Sequence, residues 1–103
     1  MKEADSGLKQ NLLAETSKIP WRELQVFFAQ GRTVHISAQL DLIDVAIAMS
    51  RDDAAQVEQW MRSGQLAQVS DDQARQWYEH DILVWSVVVK PWVLVQNIRD
   101  AVN

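Results

Sequence analysis

The chain has 103 residues, 48% of them hydrophobic and 23% charged, which is the length and make-up of one folded domain. Disordered, collagenous and low-complexity classes are excluded. Ten Lys and Arg against fourteen Asp and Glu give a formal net charge of -4, and no two cations are adjacent, so nothing resembles the basic stripe that nucleic acid requires. The absence of cysteine excludes a disulfide scaffold, a thiolate zinc site and a cysteine nucleophile, and it fits a reducing cytoplasm.

Residues 1–7 are polar and read as a flexible tail ahead of a single domain over 8–103. Leu8, Leu12 and Leu13 share one face of a first helix. Thr16 or Ser17 then offers a cap for a second helix, with Pro20 in its first turn, an apolar stripe of Trp21, Leu24, Phe27 and Phe28, and Gly31 as its stop. In RTVHISA, Val34 and Ile36 alternate with Thr33, His35 and Ser37, which predicts a strand with His35 on its outer face. Residues 40–50 return to helical spacing with few polar positions, so this helix is expected to be well buried.

Asp52 and Asp53 suit the start of a further helix whose inner face carries Val57, Trp60 and Met61, with Gly64 at its end. QLAQV reads as a short strand, and Ser70 caps a helix that carries Ala74, Trp77 and Tyr78. Residues 82–90 are rich in β-branched side chains and apolar on both faces, the pattern of a central strand. Pro91 ends that strand. The segment after it fits a helix, through Trp92, Val95 and Ile98, or an extended stretch over Trp92 to Val95, with the helix preferred. The order α-α-β-α-α-β-α-β-(α) predicts an α+β domain with helices packed on a three-stranded sheet.

Familiar chemical motifs are missing. His35 and His80 lack metal-ligand spacing and read first as surface histidines, with a carboxylate-held base or ligand as the sharper option. Asp41 and Asp44 are neighbours on a helix and could hold a hard cation, but Asp41 suits a helix cap better. No serine lies in G-x-S-x-G, and three glycines cannot build a familiar phosphate loop. No catalytic residue, metal site or cofactor is therefore assigned.

Five tryptophans, at 21, 60, 77, 85 and 92, are the unusual feature. Their first role is to fill a small core, but tryptophan also anchors interfaces, and Trp77 with Tyr78 and Trp92 lie near element ends where exposure is expected. Lys90, Pro91 and Trp92 bring a cation, a rigid turn and an aromatic together at a strand end. The simpler reading there is a strand terminator with a snorkelling lysine.

The segments WRELQVFFAQG, LDLIDVAIAMSRDDAAQVEQWMRSGQL, SDDQARQW and VVVKPWVLVQ together resemble a family of small bacterial proteins catalogued as domain of unknown function 2288. The resemblance covers about residues 10–97 and is most specific in LDLIDVA and in the strand–Pro–aromatic–VLVQ ending. It implies a stand-alone bacterial protein and lends no activity or catalytic residue. Two functions follow as expectations. The first is a non-catalytic protein-interaction module that self-associates, with no nucleic-acid or membrane partner. The alternative is a small-ligand binder or small enzyme with a pocket near residues 90–96. The ligand or partner surface is drawn from Asp41, Asp44, Trp77, Lys90, Trp92 and Gln96.

Overall fold

A computed structural model describes residues 2–98, with side chains from Gly7 onward. Five helices, a 3-10 turn and five strands follow one another as α1 (Lys2–Glu15), β1 (Ser17–Pro20), the turn Trp21–Leu24, α2 (Gln25–Ala29), β2 (Thr33–Ile36), α3 (Leu42–Ser50), α4 (Ala54–Arg62), β3 (Leu66–Gln68), α5 (Asp71–Glu79), β4 (Leu83–Val89) and β5 (Trp92–Asn97). The α+β class holds. The sheet has five strands rather than three, in the order β1-β4-β5-β2-β3.

Both extra strands lie where a proline suggested a helix. Ser17–Pro20 forms an edge strand antiparallel to β4, with Pro20 opposite Leu83 at its end. An edge strand has only one paired side, so a residue without an N–H is tolerated there. The turn Trp21–Leu24 and the short α2 then replace one longer helix. Around Pro91 the chain makes a tight hairpin: Val89 pairs with Trp92, leaving Lys90 and Pro91 as the two-residue connection, with a cis bond between them. The run Trp92–Asn97 is therefore a strand, not the preferred helix, and Val93, Leu94 and Val95 are buried in succession because both faces of β5 are covered. The end of that expected helix, from Arg99 onward, lies outside the described residues. At the other end, α1 already begins at Lys2, inside the segment read as a tail.

β4 and β5 are interior strands, and β5 pairs parallel with β2. One sheet face packs under α1, α3 and α4 through an aliphatic cluster that includes Leu12, Ile36, Val45, Ala46, Val87 and Leu94. The other packs under the 3-10 turn, α2 and α5 through Trp21, Leu24, Trp77, Val84, Val93 and Val95. These are called the α3 face and the α5 face below.

The helix limits follow from capping chemistry. Asp41 Oδ1 accepts the N–H groups of Ile43 (2.8 Å) and Asp44 (3.2 Å) and caps α3. Ser70 and Gln73 form a reciprocal capping box on α5. Asp53 caps α4, whereas Asp52 belongs to the end of α3, with a left-handed φ of 56°. There the Asp53 N–H reaches back to the Ala48 carbonyl at 2.9 Å and the Asp52 N–H to Met49 at 3.2 Å, the pairing that glycine usually provides at a helix end. Asp81 does the same after α5, at a φ of 51°.

Candidate functional site

The residues expected to form one surface separate into four places. Trp77, on α5, is buried rather than partly exposed. Its ring meets Trp21 edge-on at 5.1 Å between centroids, on the α5 face. Asp44 is exposed on α3, beside the Asp41 cap but outside any hollow described below. The remaining four residues fall at the two ends of β5.

Trp92, Leu94 and Gln96 alternate along β5 and share the α3 face. Leu94 is buried in the centre. Trp92 and Gln96 are four residues apart, hence separated by about 13 Å along the strand. Each opens into its own hollow.

The first hollow, of about 430 Å³, lies between α4 and the sheet and is lined by Met49, Val57, Met61, Leu66, Gln68 and Trp92. Its wall is almost wholly apolar. Met61 and Trp92 on its rim are 57% and 36% exposed. A smaller hollow of about 270 Å³ adjoins it, sharing Met49, Val57 and Trp92, and adds Asp52, Asp53, Lys90 and Pro91. Apolar surface and both signs of charge thus meet at the β4–β5 turn. The sequence pointed to Lys90 and Trp92. Met49, Val57 and Met61 were missed as site residues because their spacing marks them as inner faces of α3 and α4, and it says nothing of where the packing stops short.

The second hollow, of about 420 Å³, lies at the other end of β5. Asp41, Gln96, Thr16, Trp85, Ile43 and Leu13 line it. Gln96 donates both amide hydrogens to the connection between β2 and α3, at 2.9 Å to the Ser37 carbonyl and 2.8 Å to that of Leu40. That strap brings the start of α3, and so Asp41, onto the end of β5. Thr16 donates its hydroxyl to the Leu12 carbonyl at 2.6 Å. Lys18 Nζ lies 5.1 Å from the centre of the Trp85 ring. Thr16 was missed because strand β1, which follows it, was itself unforeseen, and Trp85 because a strand apolar on both faces does not show which ring stays partly uncovered.

The histidines are separate from both hollows. His35 lies on the α5 face, not on an uncovered outer one: Nε2 is 3.1 Å from Asn97 Oδ1, and the ring lies 5.5 Å from that of Trp77. His80 is exposed, with Nδ1 2.8 Å from the Gln76 carbonyl. Among the described residues no group of three or more His, Asp or Glu side chains is placed to hold a metal ion. No helix among them is long and apolar enough to cross a membrane.

The family model described as "Protein of unknown function (DUF2288)" matches residues 7–97. The NMR solution structure of PA1075 from Pseudomonas aeruginosa is similar over 92% of this chain and 88% of its own, at 43% identity and a TM-score of 0.80. The comparison with curated proteins finds no match.

Proposed function

The chain belongs to the DUF2288 family of proteins of unknown function, which supplies no activity to inherit, and we propose that it is a non-catalytic protein-interaction module that self-associates. The observation that carries this reading is the open apolar hollow of about 430 Å³ with Met61 and Trp92 exposed on its rim. A folded domain gains by covering such surface, and methionine beside tryptophan suits an adaptable contact.

A second copy of the chain is the partner that fits. In a twofold interface the same patch meets itself, so it must carry both halves of every contact. This patch has a projecting Met61 and a hollow, and Lys90 beside Asp52 and Asp53. Lys90 of one copy meets the aspartates of the other while the two apolar rims close over each other. The acidic balance and scattered cations support a protein partner over nucleic acid. A cytoplasmic setting is consistent with a chain free of cysteine, and the Pseudomonas aeruginosa neighbour supports a bacterial one.

Sedimentation velocity across a concentration series tests the reading. The expected result is a reversible dimer. Met61→Glu, which sets a carboxylate on an apolar rim, shifts it to monomer, and Lys90→Glu, which faces acid with acid, weakens it. A monomer at every concentration up to about 1 mM, where an association worth about 4 kcal/mol is half formed, overturns the proposal. So does a dimer that ignores Met61→Glu.

A further inference from the structure

We propose that the second hollow, where Asp41, Gln96, Thr16 and Trp85 converge, is a binding site for a small primary amine with an apolar body. The site is independent of the self-association surface at the other end of β5. Its volume of about 420 Å³ falls within the range that small-molecule sites occupy.

The chemistry of the ligand follows from which hydrogen-bonding groups are already committed. The Thr16 hydroxyl has given its hydrogen to the Leu12 carbonyl. Gln96 has given its amide hydrogens to the carbonyls of Ser37 and Leu40. Asp41 has no donor, and its Oδ1 is already taken by the start of α3. These three side chains have only lone pairs left to offer: the Thr16 oxygen, Gln96 Oε1 and the second carboxylate oxygen of Asp41. The Trp85 indole is the one lining side chain with a donor to spare.

A head group that meets such a set must donate and should be positive. An alkylammonium has three N–H donors and a charge that pairs with Asp41. A carboxylate or phosphate head could be met by the Trp85 indole alone, and would set acceptor against acceptor at Asp41, Gln96 and Thr16, which is costly. The apolar body lies against Trp85, Ile43 and Leu13, the last 51% exposed at the lip. Lys18 already sits over the Trp85 ring, so the ammonium belongs on the Asp41 and Gln96 side and not on the indole face.

The test is a ¹H–¹⁵N correlation NMR titration with phenethylamine, using phenylacetate and 2-phenylethanol as controls that keep the aromatic body and change the head. The expected result is a saturating shift of the Asp41, Leu42, Ile43 and Gln96 amides and of the Trp85 indole by the amine alone, with a Kd of about 1 mM or tighter. Asp41→Asn retains an oxygen able to cap α3 and removes the charge. It is expected to weaken the amine by about tenfold while leaving the rest of the spectrum in place. Equal shifts from phenylacetate or 2-phenylethanol overturn the proposal, as does amine binding confined to the Met61 and Trp92 region. An Asp41→Asn protein that binds the amine as the parent does, or a parent that shows no saturating shift, also overturns it. None of these outcomes bears on the sedimentation experiment, which reports on the opposite end of the strand.

Discussion

The two faces of the sheet use tryptophan in opposite ways. On the α5 face, Trp21 is buried edge-on against both Trp77 and Phe28, and its indole donates to the Ala74 carbonyl at 3.1 Å. On the α3 face the buried centre is aliphatic, and Trp60, Trp85 and Trp92 sit around it, partly exposed. A ring with ring partners and a bonded N–H closes a core. A ring at the margin of an aliphatic cluster leaves a wall with space beside it. The difference teaches that a high tryptophan count marks neither core nor interface. Neighbours decide which, and the hollows proposed here as binding surfaces lie on the face whose rings lack ring partners.

The largest expected effect breaks the closed side. Trp21→Ala removes a fully buried indole, two ring contacts and one hydrogen bond, and should cost about 3–5 kcal/mol in urea unfolding. Trp92→Ala should cost only about 1–2 kcal/mol, because its ring is already partly in water, yet it should abolish the proposed dimer, which Trp21→Phe should leave intact. Equal costs at the two positions would erase the contrast between the faces. Asp41→Ala should cost about 1 kcal/mol through the lost cap, against little for Asp41→Asn; thermal denaturation of the pair separates capping from charge. Asp81→Gly should stabilise by about 0.5–1 kcal/mol, since a side chain at a φ of 51° is strained; the exposed Arg22 pair at 3.8 Å offsets little of that. Smallest is Arg62→Ala, which removes an exposed pair with Glu58 at 3.4 Å and should change stability by about 0.3 kcal/mol.

Much of the frame was legible because local chemistry set it. Asp41 and Ser70 cap the helices they were expected to cap, Gly31 and Gly64 lie at left-handed helix ends, and the β-branched run around Val84 and Val87 is an interior strand. The errors also have local causes. Pro20 and Pro91 each fit the first turn of a helix equally well, and only pairing with β4 reveals an edge strand and a hairpin turn. Asp52 looked like a helix start because aspartate favours that place; its left-handed backbone is a tertiary outcome. With β1 and β5 read as helices, no covered second sheet face is available for His35, and a place near a helix end gives no sign that Trp77 is buried. The candidate surface was half legible for the same reason. The structure sets Asp41 and Gln96 at one hollow and Lys90 and Trp92 at another, and a β5 read as helix could not show that they stand at opposite ends of one strand.

The place of β5 in the sheet has a consequence for how the protein is made. It is the fifth strand along the chain and the middle one in space, with β1 and β4 on one side and β2 and β3 on the other. A ribosome delivers all the described helices and four strands before the strand that joins them. Until Trp92–Asn97 emerges, the nascent chain holds two unconnected two-stranded ribbons, and such ribbons are marginal alone in water. Assembly is thus a late, long-range event rather than a growth from the amino terminus, and a chain released before residue 92 would have its strands and no sheet.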